Sequence, residues 1–134
     1  MDAKVPGLVT APSALPPADT VARLDGEIRG KGLTVFAKID HSGGATAAGL
    51  ALRFTQLLIF GNPKAGTPLM QGGQTIGIDL PLRMLVWQDE RAGVWVSYDD
   101  PAWLASRHGV DGRADTLAAL SRLLGSLAAS VARA

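Results

Sequence analysis

The amino-acid sequence predicts a single α+β domain, and three observations lead to this fold class. The chain has 134 residues, which is the length of one compact domain. Apolar residues recur at helical spacing near both ends, whereas short β-branched and alternating segments lie between them. The composition, with 47% hydrophobic and 19% charged residues, is typical of a chain that folds around its own core.

The first part of the chain predicts two strands with a helix between them. A short apolar strand is expected over 5–11, where it runs into a proline-rich turn. A helix is expected over 17–30, because its apolar residues recur every three or four positions and a glycine ends it. β-branched and aromatic residues favour a second strand over 33–39, and the small residues of 42–49 predict a short helix or a loop.

The middle of the chain contains its most continuous apolar run. Residues 57–60 are all apolar, which predicts a strand buried on both faces. A sharp break follows, and 64–71 is long enough for one or two helical turns. Beyond two glycines, Ile76 and Ile78 alternate around a third glycine in the manner of a short extended segment.

The clearest hairpin is predicted over 83–88 and 94–98, because both segments alternate and a polar turn joins them. Asp99 or Asp100 is expected to cap a short helix that begins at Pro101, since a carboxylate accepts hydrogen bonds from exposed first-turn amides.

The last predicted helix covers about 114–131 and carries a regular apolar seam. The seam residues repeat at three, four, three and four positions: Leu117, Leu120, Leu124, Leu127 and Val131. Five seam positions are too few for a freestanding coiled coil. We therefore expect the helix to pack on the sheet or across a dimer interface.

Charge, cysteine content and hydropathy exclude several classes of function. Thirteen basic against twelve acidic residues leave a net charge of +1, which argues against nucleic-acid binding through phosphate neutralisation. The absence of cysteine excludes disulfides, thiolate metal sites and a cysteine nucleophile. Two histidines without metal-ligand spacing predict no metal, and no cofactor is predicted.

No apolar run is long enough to span a bilayer, and 1–7 lacks the apolar stretch of a signal peptide. A cytoplasmic protein without nucleic-acid or membrane partners is expected. A periplasmic location stays open if a leader has been removed before Met1.

Four linked segments resemble a known family. They are 36–41 (FAKIDH), 58–71 (LIFGNPKAGTPLMQ), 77–82 (GIDLPL) and 97–101 (SYDDP). In this order and spacing they resemble the DUF302 family, a bacterial and archaeal domain of unknown function. The resemblance covers about 5–110, within one domain of 1–134, and it leaves 111–134 as a C-terminal helical extension.

The resemblance implies a curved antiparallel sheet with helices packed on one face, an arrangement described as TBP-like. It also implies a homodimer. It implies no reaction, so whether the protein is an enzyme stays open.

The turn that leaves the central strand is the most suggestive candidate for a binding site. Backbone amides at a strand-to-helix turn suit an anion, and Lys64 and Thr67 lie close by in the sequence. The first hypothesis is non-catalytic binding of a small molecule, with an anion as one option. In this site Lys64 supplies charge, Asn62 and Thr67 supply hydrogen bonds, and His41 and Asp79 complete the lining. The competing interpretation is ordinary cap chemistry, with Asn62 as the N-cap of a helix.

Two other functions stay open from the sequence. A hydrolase or isomerase would use His41 as its base and Asp79 as the orienting partner. A protein-interaction module would use the dimer interface or the C-terminal seam. In either case, Asp79 is also expected to pair with Arg83 or Lys64, because an acid in an apolar segment needs a partner.

The aromatic residues and the second histidine have structural interpretations. Trp87, Trp95 and Trp103 are expected to anchor the core or a dimer interface, with a stacking platform for a flat ligand as the alternative. His108 is expected to interact with the end of its own helix.

Overall fold

The computed structural model describes residues 5–133. Residues 1–4, which belong to the segment that we compared with a signal peptide, and residue 134 lie outside the described part. Five strands form one antiparallel sheet in the order β1-β5-β4-β3-β2. Their bounds are β1 Leu8–Ser13, β2 Thr34–Asp40, β3 Thr55–Gly61, β4 Leu82–Gln88 and β5 Val94–Asp99.

The described residues also form five α-helices and one 3-10 helix, of which the last two follow the last strand. Their bounds are α1 Pro17–Gly30, α2 His41–Ala47, α3 Pro63–Gly72, the 3-10 helix Gln74–Asp79, α4 Pro101–Arg107 and α5 Ala114–Ala129. The predicted α+β class, an antiparallel sheet with helices and a C-terminal helix, is confirmed, and the structure shows that the sheet has five strands. Among the described residues, no helix combines the length and apolar character that crossing a membrane requires.

The two faces of the sheet have different surroundings because side chains alternate along each strand. On one face, the strand residues join apolar residues of α1, α3, α4 and α5 in a common core. The opposite face holds Leu57, Leu85 and Trp87, which are only half-buried. None of the residues of α2 is buried, so this short helix adds nothing to the core.

Two local expectations were wrong. The apolar run in β3 is buried on one face only, since Leu58 and Phe60 are fully buried while Leu57 and Ile59 stay half-exposed. The segment around Gly77 is not extended but forms the 3-10 helix. Ile76 points into the core and Ile78 is 76% exposed, so their two-residue spacing does not reflect strand alternation.

The seam of the C-terminal helix lies in the core of the chain, where the sequence had left open packing on the sheet or across a dimer interface. Leu120, Leu124 and Leu127 are buried against the rest of the molecule, and α5 contacts α1, α3 and α4. Val131, just beyond the helix, is also fully buried. Its carbonyl accepts a hydrogen bond from the Ala14 amide at 2.8 Å, which ties the end of the chain to the turn after β1.

Candidate functional site

A cavity of about 230 Å³ opens at the end of the sheet, where α3, the 3-10 helix and α5 meet. It lies beside the start of β2, the end of β3 and the start of β4. Most of its lining is aliphatic or aromatic, and its larger apolar side chains include Leu33, Phe36, Met70, Leu80, Leu120 and Leu123. The cavity is therefore an extension of the apolar core that reaches the surface.

The polar side chains in the lining are Asn62 and Thr67, and no lining residue carries a charge. The Asn62 side chain accepts a hydrogen bond from the Lys64 amide at 2.9 Å, so it caps α3 as the sequence predicted. Among residues 5–133, its amide nitrogen donates no hydrogen bond. The cavity thus offers a ligand one amide donor and one hydroxyl at its polar edge.

Gly66 of α3 lies in the wall of the cavity. A Cβ atom on Gly66 would lie 3.8 Å from Leu80 and 3.9 Å from Met70, at ordinary contact distance. A longer side chain at this position would enter the open space. Gly66 therefore provides a position from which the cavity can be filled without displacing backbone.

The structure brings together only part of the predicted ligand site. Asn62 and Thr67 line the cavity, whereas Lys64 is exposed and outside the lining. His41 lines a different groove on the open face of the sheet. Asp79 lies in a third place, an ion cluster, and makes no hydrogen bond to His41 within the described residues.

The ion cluster is centred on the Asp79 carboxylate, which is 11% exposed. One of its oxygens lies 2.5 Å from Arg107 and 2.6 Å from the Nε2 atom of His108. The other lies 3.4 Å from Arg83, which confirms the predicted pairing, and Arg83 in turn contacts Asp99 at 2.9 Å. The cluster joins the 3-10 helix to β4 and to the end of α4.

The charge environment keeps Asp79 ionised. Burial opposes ionisation, but hydrogen bonds from His108 and Arg107 and the charges of Arg107 and Arg83 outweigh it. The pKa of Asp79 is therefore lowered from its ordinary value. An ionised carboxylate can only accept hydrogen bonds, so Arg83, Arg107 and His108 must direct N–H groups toward it.

His108 makes a second hydrogen bond that the sequence did not suggest. Its Nδ1 atom lies 2.9 Å from the Thr75 hydroxyl, and its side chain is 8% exposed. The contact exists because α4 packs against the 3-10 helix. The only signal in the sequence was that Asp79 needed partners, and nothing in the spacing identified Thr75, Arg107 or His108 as those partners.

The open face of the sheet carries a groove of about 390 Å³. Its residues include His41, Leu57, Arg83, Leu85 and Trp87. Beside it, the rings of Trp87 and Trp95 stack with centroids 6.3 Å apart. These tryptophans lie on the open face rather than in the core.

Trp103 has a different role. Its ring lies against Gly7, where an added Cβ would be 2.2 Å from the indole. It therefore packs the start of β1 against α4.

Comparison with known proteins places these features in a family. Residues 9–127 match the family described as "Domain of unknown function DUF302", and the match includes most of α5. A crystal structure described as "uncharacterized conserved protein DUF302" from Bacillus stearothermophilus superposes with a TM-score of 0.84. It covers 95% of this chain and 99% of that one at 16% identity, so it supports the fold alone.

Curated relatives from Brucella are more similar in sequence. "Fluoride-specific ion channel FluC 1" of Brucella suis biovar 1 (strain 1330) is 49% identical over 104 residues, which are 78% of this chain and 41% of the relative. A protein of the same name in Brucella abortus biovar 1 (strain 9-941) has the same identity, with 38% of its length covered. This chain therefore spans about two-fifths of the relatives' length. With its match over residues 9–127, the chain belongs to the DUF302 family.

Proposed function

We propose that this domain binds a small, uncharged and largely apolar molecule in the cavity between α3 and α5. The observation that carries the proposal is the cavity itself, an apolar space of about 230 Å³ with two polar side chains at its edge. Ligand sites are commonly concave and mostly apolar, with a few polar groups that orient the ligand. This cavity has that composition.

The volume sets the size of the ligand. An engineered apolar cavity of about 150 Å³ binds benzene. The cavity in this chain is larger, so it suits a bicyclic aromatic molecule or a branched aliphatic one. A hydrogen-bonding group on the ligand would meet the Asn62 amide or the Thr67 hydroxyl.

An anionic ligand is less well supported by the same geometry. A buried charge requires a compensating partner, and no lining residue is charged. Lys64 is near in the sequence but outside the lining. The names of the Brucella relatives suggest fluoride as a ligand, and the same argument applies to it. A small anion loses its hydration on burial, and an apolar cavity offers no groups that would replace the lost water.

The test uses two probes with the same ring, neutral indole and anionic indole-3-carboxylate. Isothermal titration and ligand-induced thermal stabilisation measure their affinities. We expect indole to bind and the carboxylate to bind at least about tenfold more weakly, a difference of about 1.4 kcal/mol. Tighter binding of the carboxylate, lost in Lys64→Met, would favour the anion interpretation. Sodium fluoride is expected to leave the unfolding temperature unchanged.

A matched pair of variants locates the binding site. Gly66→Leu extends a side chain into the cavity, whereas Gly26→Leu makes the same change on the exposed surface of α1, where no atom lies within 4 Å of an added Cβ. Both raise helix propensity in their helices. Loss of indole binding in the first variant alone supports the proposal. Equal binding by both variants, or no binding by the wild type, contradicts it.

We further propose that two copies of the domain associate through the open face of the sheet. The observation in favour is the set of half-buried apolar side chains on that face, among them Leu57, Leu85, Trp87 and Trp95. Antiparallel sheets can leave one face in water, but such a face is then usually polar. Apolar surface of this kind marks interaction sites.

Sedimentation velocity tests the dimer. Leu85→Glu places a charge on the open face, and Ala118→Glu places the same charge on the exposed side of α5. We expect a dimer in the wild type and in the Ala118 variant, and a folded monomer in the Leu85 variant. A monomer in the wild type at all concentrations would contradict the proposal.

A further inference from the structure

A continuous chain of hydrogen bonds runs from the exposed Thr75 hydroxyl to the carboxylate of Asp79, which is only partly exposed. The Thr75 hydroxyl lies 2.9 Å from His108 Nδ1, and His108 Nε2 lies 2.6 Å from Asp79. Thr75 and Asp79 are on the same 3-10 helix, and His108 at the end of α4 inserts between them. Arg107 and, from β4, Arg83 hold the Asp79 end of this relay.

The carboxylate determines where the imidazole holds its proton. Ionised Asp79 accepts hydrogen bonds only, so the neutral imidazole donates through Nε2–H. Its Nδ1 atom then has a free lone pair, and the Thr75 hydroxyl donates to it. This is the tautomer in which the histidine can take a proton from the hydroxyl.

The burial of the three residues differs in a way that suits this chemistry. His108 and Asp79 are 8% and 11% exposed, so the base and the carboxylate are held in place by their surroundings. Thr75 is exposed, so a reactant can reach its hydroxyl. Its neighbour Gln74 lines a shallow groove with Met70, Gly72 and Gly73. The groove ends at Gln74, one residue before Thr75, and Val110 packs closely against Gly72 and Gly73.

We propose that Thr75 is a nucleophile for acyl transfer from esters, with His108 as its general base and Asp79 as the residue that positions the imidazole. A nucleophile, a base and an orienting group that are hydrogen-bonded in series are the geometric signature of this class of reaction. The site is separate from the cavity between α3 and α5. The proposal therefore does not depend on what the cavity binds.

The reaction has two balanced steps. The Thr75 oxygen attacks the ester carbonyl carbon while its proton moves to His108 Nδ1. The proton then passes to the alcohol oxygen as the C–O bond of the ester breaks, leaving an acyl ester on Thr75. In the second step, water attacks that ester and gives a proton to His108, which returns it to the Thr75 oxygen, and the carboxylic acid leaves.

The experiment uses p-nitrophenyl acetate as the acyl donor and measures nitrophenolate release together with the position of the acetyl group by peptide mass spectrometry. We expect acetyl on Thr75. The rate should fall at least about a hundredfold in Thr75→Val, the range in which positioned general bases contribute. Thr75→Ser should retain most of the rate. Thr46→Val, on an exposed turn of α2, is the matched control and should change nothing.

Several results would overturn the proposal. Acetyl found on lysines alone, or an unchanged rate in a folded Thr75→Val variant, would show that the relay only holds α4 against the 3-10 helix. An equal loss of rate in Gly66→Leu would place the reaction in the cavity instead.

Asp79→Asn tests the positioning residue. An amide can donate to Nε2, which moves the imidazole proton to Nδ1 and removes the acceptor for the Thr75 hydroxyl. We expect the ¹⁵N spectrum of the His108 ring to show this change of tautomer, with a lower rate, and Asp79→Glu to restore both in part. An unchanged tautomer with an unchanged rate would contradict the assigned role.

Discussion

The two faces of the sheet are built from the same strands but differ in what covers them. Leu58, Phe60 and Val86 on the covered face are fully buried beneath helices. On the other face Leu57 and Trp87, adjacent in the chain to two of these residues, remain half-exposed. One face is a completed core, and the other is a largely apolar surface that no buried helix residue covers, with His41 of α2 at one side of its groove.

This difference separates residues that maintain the fold from residues that are available for function. Polar groups on both faces are satisfied locally. On the covered side, the Ser13 hydroxyl contacts the buried Thr20 hydroxyl at 2.7 Å. On the open face, the buried Ser97 hydroxyl contacts Thr10 and accepts from the Trp87 indole, both at 2.8 Å. Substitutions on the covered face should therefore affect folding, and substitutions on the open face should affect association.

The largest effect is expected for Phe60→Ala. The ring is fully buried between the sheet and the helices, so its removal leaves a cavity that the surrounding core fills only partly. We expect the free energy of unfolding to fall by about 3–5 kcal/mol, measured by urea denaturation. A loss below about 1 kcal/mol would show that the covered face is not a tightly packed core.

A second prediction compares neighbours that point to opposite faces. Leu58→Ala should lower the free energy of unfolding by about 2–5 kcal/mol, whereas Leu57→Ala should lower that of the monomer by less than about 1 kcal/mol. The same chemical change is made one residue apart, so β-propensity is matched. If Leu57→Ala becomes costly only at protein concentrations where dimers form, the open face is the interface. Equal costs at every concentration would remove the distinction between the faces.

The sequence predicted the helices and strands more accurately than it predicted what packs against each of them. The hairpin of β4 and β5 and the helix α5 were predicted correctly because alternation and helical spacing are local properties. Burial of residues 57–60 on both faces was wrong, because an apolar run shows that a strand is buried without showing how many layers cover it. The expected extension around Gly77 was wrong because two isoleucines cannot distinguish a strand from a single helical turn.

The candidate sites were less accessible to sequence reasoning because they form between distant segments. The cap at Asn62 follows from two neighbouring residues and was predicted. The cavity needs Leu120 and Leu123 of α5 to approach α3 across a long stretch of chain that includes two strands and another helix. The relay needs α4 to deliver His108 to the 3-10 helix. Contacts between segments that lie so far apart in the chain leave no local pattern in the sequence.

A third and smaller effect is expected for Asp79→Asn, which removes the charge between Arg83 and Arg107. The pKa of Asp79 is lowered in the folded chain, so its ionised form stabilises folding above the ordinary carboxyl value of about 4. That contribution is lost as pH falls through the lowered pKa. We expect the variant to lose about 1–2 kcal/mol at neutral pH and less as the pH falls below about 4. Urea denaturation at neutral and acidic pH measures the difference, and an equal loss at both would contradict an ionic role.

The smallest effect is expected for Trp87→Phe, which tests whether the open face has any packing of its own. The change keeps an aromatic ring beside Trp95 but removes the indole N–H that donates to Ser97. The Ser97 hydroxyl retains Thr10 as a partner, so no buried polar atom is left without one. We expect the free energy of unfolding to fall by about 0.5–1.5 kcal/mol, the net value of one hydrogen bond.

Trp95→Phe is the comparison variant on the same face, since it breaks the donation to Asp89 instead. If either change abolishes the dimer without lowering the monomer's stability, the tryptophan pair acts in association rather than in folding. If both lower monomer stability as much as Leu58→Ala does, the open face is a second core, and the contrast between the two faces fails.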